Sequence, residues 1–156
     1  MRHHNYIWRN LFFTILQPGM VAVVIPWWIA VGLPAYETWN TQSWAGLILF
    51  TIGSVITLAC IYSFATRGAG TLSPADPTTK LVVSGLYRYS RNPMYVGVSL
   101  MLLGDSLFLQ KQSVWIYAIV VFAAFNIYVI AFEEPRLRKD FGEDYDTYRK
   151  NVRRWL

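Results

Sequence analysis

The sequence predicts an all-α fold: a polytopic helical membrane protein of about four transmembrane helices plus a cytoplasmic amphipathic C-terminal helix, forming a single domain over residues 1–156. Three observations predict it. Of the 156 residues 54% are hydrophobic, 17% aromatic and only 15% charged, a balance foreign to a soluble domain of this size. Four apolar segments approach the about 20 residues that a helix needs to cross the hydrocarbon core. The basic residues, finally, gather on the connections that a four-span topology puts on one side.

The first segment, Leu11 to Leu33, is interrupted by Gln17-Pro18-Gly19 and again by Pro26, so it is expected to be kinked or broken. It reads as a span rather than a cleaved signal peptide, because the apolar stretch is too long for a signal core and no clean small-residue cleavage site follows it. The second segment, Trp44 to Ala65, has full spanning length and holds Cys60, the only cysteine. An intrachain disulfide is therefore impossible, and a buried, inert thiol is expected. The third, Met94 to Leu109, is short and the fourth, Val114 to Phe132, is not. Gln110 to Ser113 is so brief a link that these two must form a tight antiparallel hairpin.

The arm with Arg2 and Arg9, the loop with Arg67, Lys80, Arg88 and Arg91, and the tail after Phe132 hold every Lys and Arg except Lys111. By the positive-inside rule both termini and the long loop then face the cytoplasm. The net charge of +5 reads as attraction to anionic membrane lipid; no nucleic-acid motif accompanies it. The outer side carries only Pro34 to Ser43 and the hairpin link, so water-facing chemistry is expected in the loop 67–93 and the tail 133–156.

That loop opens with Arg67-Gly68-Ala69-Gly70, but Ser73 occupies the third glycine position of a dinucleotide fingerprint and no strand precedes it, which excludes a Rossmann-type site. In the tail, Leu137, Phe141, Tyr145, Tyr148 and Val152 recur at spacings of four, four, three and four, one face of a helix over Pro135 to Val152. Such a helix would lie on the membrane or fold back over the span ends. A plain basic anchor is the alternative, against which two tyrosines on the buried face add hydroxyls for a pocket.

Asn92-Pro93, just before the third span, is a helix-start signal, with Asn as N-cap and Pro in the first turn. It aims the positive end of a helix dipole at the cytoplasmic surface beside Arg91 and near Arg88, suited to a carboxylate or phosphate; an ordinary capped helix with positive-inside arginines is the simpler alternative. Glu133 and Glu134 close the fourth span at the same surface. Acids at a helix C-terminus oppose the dipole by roughly 0.3–1 kcal/mol each, so the pair asks for a compensating cation: Arg91, a bound cation, or Arg136 and Arg138 across solvent. Asp105 falls near the outer boundary, Asn126 is expected to join helices by a hydrogen bond, and His3 and His4 have no partner ligands; no metal site is expected.

Taken together, Thr79-Lys80-Leu81-Val82-Val83-Ser84-Gly85-Leu86-Tyr87-Arg88-Tyr89-Ser90-Arg91-Asn92-Pro93-Met94-Tyr95-Val96-Gly97, then the acid pair, then Phe141-Gly142-Glu143-Asp144-Tyr145, resemble the isoprenylcysteine carboxyl methyltransferase and phospholipid methyltransferase family. The resemblance implies S-adenosylmethionine as methyl donor and a lipophilic, membrane-associated acceptor. It implies a cofactor pocket lined by Leu81, Val82, Tyr87, Arg91, Asn92, Pro93, Met94, Tyr95, Glu133 and Glu134, with Arg91 and Glu133 positioning the reactants and no general base required. Asn92 stands where many relatives have His, and Arg153 where Pro is common. Phe125 to Phe132 lack the Arg that members methylating prenylcysteine carry about one turn before the acids, which leaves an amine, thiol or other lipophilic nucleophile open as acceptor. Two alternatives stand beside it: an NADPH-dependent membrane reductase of sterol-reductase type, whose C-terminal half is similar, and a non-catalytic membrane scaffold.

Overall fold

The computed structural model describes residues 16–32, 39–67 and 81–156, and all their regular structure is helical. The N-terminal arm with His3 and His4, the glycines Gly68 and Gly70 and the rest of the stretch 68–80 lie outside the described residues. The elements are α1 (Leu16–Ala30), α2 (Thr41–Arg67), a 3-10 turn (Gly85–Arg88), α3 (Pro93–Leu109), α4 (Gln112–Phe141) and α5 (Glu143–Asn151). Of these, α2 over Thr41–Ser63 and α4 are long and apolar enough to cross a membrane. α1 and α3 are apolar but no longer than 17 residues, about 26 Å at 1.5 Å per residue, slightly less than the ~30 Å of a hydrocarbon core.

The chain does not break at Pro18 or Pro26, as the first segment had suggested. α1 runs through both. Over Met20–Val24 the helix widens to π geometry, and the Ile25 N–H reaches back to the Met20 carbonyl, a local adjustment that absorbs the donor missing at Pro26. The helix ends where Val31 turns extended and Gly32 takes a positive φ of 85°.

Antiparallel α2 and α3 form the tightest contact in the fold, and four glycines make it. A Cβ on Gly46 would stand 2.6 Å from the Gly104 carbonyl oxygen, and one on Gly53 would stand 2.5 Å from that of Gly97. In each helix the glycines are seven residues apart, two turns, so they share one face. Without side chains there, the backbones approach as they do in packed membrane helices generally. α1 closes over this pair: Ala22, Val98, Met101 and Leu102 form the buried core, with Val21, Phe50 and Tyr117 packed against it, and the Tyr117 hydroxyl donates to the Val21 carbonyl at 2.9 Å.

The α3–α4 hairpin is as tight as its short link requires. Gln110 takes the left-handed conformation (φ 52°), and its side-chain amide donates to Asn40 Oδ1 at 3.0 Å and Ser43 Oγ at 3.1 Å. Asp105 lies one turn from this end of α3 with its Oδ2 buried and, among the described residues, without a hydrogen-bond partner. Cys60 is fully buried, as expected. Asn126 differs from expectation. Its Nδ2 donates to the Phe122 carbonyl of its own helix at 2.9 Å instead of joining two helices, since a short amide side chain on an outward face finds the carbonyl one turn back first.

Two expectations about the tail are corrected. The fourth helix does not end at Glu133 and Glu134 but continues through them to Phe141. A second π turn, Val129–Glu133, precedes Pro135, and the Glu134 N–H bonds to the Val129 carbonyl, so the proline is carried without a break. The amphipathic segment is not one helix either. Gly142, at φ 53° and ψ −124°, divides it in a conformation that costs a glycine little. Leu137 and Phe141 thus belong to α4, while Tyr145 and Tyr148 are buried from α5.

Candidate active site at the Arg91 end of the bundle

Pro93 starts α3 and fixes the approach of the chain to it. Before it, Gly85 takes a positive φ of 66°, a left-handed turn suited to glycine, and the 3-10 turn that follows buries Tyr87. The Tyr87 hydroxyl meets the Cys60 thiol of α2, and burial together with that neighbour pushes the phenol well above its usual range. The Tyr87 carbonyl accepts the Tyr148 hydroxyl at 2.6 Å. Tyr148, itself desolvated, has its pKa pushed up to about 12.

The last residues return to this loop. The Arg91 N–H donates to the Arg153 carbonyl at 2.9 Å. The Arg154 carbonyl accepts the Ser90 hydroxyl at 3.2 Å and Asn92 Nδ2 at 3.0 Å. Asn92 therefore sits at the N-cap position without capping: its side chain makes no bond to the first turn of α3, and its Nδ2 donates to the Arg154 carbonyl. Trp155 packs on Phe122 of α4 with ring centroids 5.8 Å apart.

The acids are treated differently. Glu133 Oε2 accepts the Tyr95 hydroxyl at 3.0 Å, and the Tyr95 ring lies against Phe125. Glu134 faces two guanidiniums: Arg91 Nη1 at 3.1 Å from its Oε1, and Arg154 in a fork, Nε to Oε1 at 2.8 Å and Nη2 to Oε2 at 3.0 Å. That fork holds the Arg154 guanidinium above its ordinary pKa. Arg91 Nη1 also donates to the Tyr145 hydroxyl at 3.2 Å, whose pKa is raised by burial and the nearby Glu134 carboxylate. The side chains of Arg91 and Glu134 are only 8% and 11% exposed, and Arg91 Nε is buried without a hydrogen-bond partner among the described residues.

Of the residues anticipated from sequence, Tyr87, Arg91, Asn92, Pro93, Tyr95, Glu133 and Glu134 thus lie at one end of the bundle. Met94 follows Pro93 in the first turn of α3, and Leu81 and Val82 are half-buried at the head of the loop; none of these three enters the hydrogen bonds described above. Arg91 does serve as counter-cation to the acid pair, through Glu134. Ser90 and Arg154 are not anticipated at the site from the sequence, whereas Tyr145 is one of the two tyrosines expected to bring a hydroxyl to it. Tyr145 lay on the predicted buried face, but no signal in the sequence separates Arg154 from the other basic residues of the tail. Beside Glu134, a cleft of about 460 Å³ is lined by Ile130, Pro135, Arg138, Lys139 and Arg149.

These features define a helical membrane protein with an apolar body and a cationic, carboxylate-bearing site at one end. A profile of the phospholipid methyltransferase family matches residues 41–144, and the chain belongs to that family of membrane methyltransferases. An uncharacterized protein of Haemophilus influenzae is 38% identical over 63 residues, 40% of this chain and all of that protein. A protein-S-isoprenylcysteine O-methyltransferase of Schizosaccharomyces pombe is 37% identical over 73 residues, 46% of this chain and 30% of the relative. A probable protein-S-isoprenylcysteine O-methyltransferase of Oryza sativa subsp. indica is 27% identical over 124 residues, 79% of this chain and 65% of the relative. The chain thus spans less than two thirds of either methyltransferase. No solved structure matches it.

Proposed function

We propose that the protein transfers a methyl group from S-adenosylmethionine to a lipophilic acceptor at the cytoplasmic face of the membrane, as a single domain of four spans with both termini in the cytoplasm. Supporting the orientation is the crowding of Lys and Arg on the loop and tail. The observation that carries the reaction is the unequal charge at the site: two guanidiniums, Arg91 and Arg154, share one carboxylate, Glu134.

The residues present fit that donor. Its methionyl end carries a carboxylate, which suits the uncompensated positive charge and the Arg91 Nε, unpartnered among the described residues, and an ammonium group, which suits Glu133. Tyr95, half-buried beside Glu133, offers an aromatic ring to a sulfonium or adenine. Bound S-adenosylmethionine supplies a methyl group already activated by its sulfonium, so the protein's task is alignment and exclusion of water. Alignment of two reactants can contribute about 7–11 kcal/mol. Arg91 and Glu133 act as positioning residues, each fixed by a second contact, Arg91 by Tyr145 and Glu133 by Tyr95. The acceptor needs a lone pair and an apolar body that α4 can meet from the lipid side, where Ile127, Ile130 and Phe132 are exposed.

Calorimetry on the detergent-purified protein tests the reading. Binding of S-adenosylmethionine is expected. Binding of NADPH without it would make the protein a reductase, and silence toward both a scaffold. A transfer assay with labelled donor and lipid, prenylcysteine and small-thiol acceptors then identifies the nucleophile.

A further inference from the structure

Arg154 touches both walls of the site with different parts of itself. Its carbonyl holds the loop, through Ser90 and Asn92, and its guanidinium holds α4, through both oxygens of Glu134. Arg91, the neighbouring cation, receives only a shared Oε1. A bidentate guanidinium–carboxylate fork is the stronger of the two geometries, so Glu134 is committed first to Arg154.

We propose that Arg154 is a positioning residue that keeps Glu134 from neutralising Arg91, and so preserves the positive charge that receives the carboxylate of the methyl donor. This rests on the proposed use of S-adenosylmethionine. Arg91 is nearly buried, and a buried cation facing a single unshared carboxylate would pair with it through both oxygens. With Arg154 in place Glu134 Oε2 is occupied and Oε1 is divided, so the cluster Arg91–Glu134–Arg154 carries a net charge of one positive unit. An incoming carboxylate completes it. Removing the Arg154 side chain frees Oε2 for Arg91 and makes the cluster neutral, while the Arg154 backbone carbonyl can go on holding Ser90 and Asn92.

The test compares two ligands that differ only at the carboxylate. Equilibrium binding of S-adenosylmethionine and of decarboxylated S-adenosylmethionine is measured by calorimetry on the intact chain and on the Arg154→Ala and Arg154→Lys variants. The expected result is about a tenfold loss for S-adenosylmethionine in Arg154→Ala, the scale of one charge-assisted contact. Affinity for the decarboxylated ligand should be unchanged or higher. Arg154→Lys, which keeps the charge but not the fork, should recover part of the loss. An equal loss of both ligands would assign Arg154 a purely structural role and overturn the inference, as would unchanged affinity for both. Failure of the unsubstituted protein to bind S-adenosylmethionine would overturn the proposed function and this inference with it.

Discussion

Gly53 of α2 and Gly97 of α3 face each other so closely that a Cβ on Gly53 would lie 2.5 Å from the Gly97 carbonyl oxygen, and a Cβ on Gly97 would lie 2.9 Å from that of Gly53. Both contacts are to backbone, which cannot swing aside. Gly53→Ala and Gly97→Ala should each cost about 1–3 kcal/mol, the usual penalty of overpacking, seen as a lower thermal midpoint in detergent. Gly19→Ala, with open space around its Cβ position, is the control and should leave the midpoint in place or raise it, since alanine is the better helix former by about 0.5–1 kcal/mol.

Glu134 and Asp140 both pair with arginines, yet their environments differ. The Arg136–Asp140 pair is 42% and 40% exposed, and breaking it with Asp140→Asn should cost less than about 1 kcal/mol. Glu134→Gln strands two cations, one nearly buried, and should cost about 3–5 kcal/mol. Parallel denaturation of the two variants checks the contrast, and equal losses would contradict the burial described for Arg91.

Arg91→Ala leaves Glu134 still held by Arg154, and Glu133→Gln keeps the shape of the acid that Tyr95 contacts. Both variants should therefore stay folded while binding S-adenosylmethionine about ten- to a hundredfold more weakly, the range for a lost hydrogen bond to a charged group. Unchanged affinity in both would remove these residues from the proposed site.

Tyr148 gives the fold a dependence on alkali. Its pKa, pushed by burial from 10 in the free side chain up to about 12, means that folding favours the neutral phenol. The stabilisation is complete below pH 10 and is lost as the pH rises through about 12. Tyr148→Phe loses the bond to the Tyr87 carbonyl and should be less stable by about 0.5–1.5 kcal/mol at pH 8. The gap between variant and parent should narrow between pH 10 and 12, followed by unfolding titrations and tyrosinate absorbance.

Much of this was legible because it follows local rules. Apolar runs located the helices, a four-residue link specified the α3–α4 hairpin, and that hairpin brought Arg91 to the acid pair. The same rules misled where a backbone adjustment intervened. Pro26 reads as an interruption and Pro135 as the start of a new helix, but a π turn before each absorbs the missing donor, an option that apolar patterning does not encode. Gly142 lay inside an unbroken helical spacing, and only its positive φ reveals the division. Asn92 has the sequence of a cap, yet a carbonyl more than sixty positions away takes its side chain. The pairing of Arg154 with Glu134 is equally non-local, and among several arginines in a basic tail no spacing distinguishes it.

α4 also acts as a ruler. Its 30 residues measure about 45 Å, and the stretch from Gln112 to Glu133 about 32 Å, nearly the ~30 Å thickness of hydrocarbon. With Gln112 at one boundary of the oil, the acid pair is stationed at the other. On the proposed function, this makes the site a meeting place of two solvents: a charged reagent dissolved in water and a greasy one dissolved in the bilayer can each arrive from its own phase.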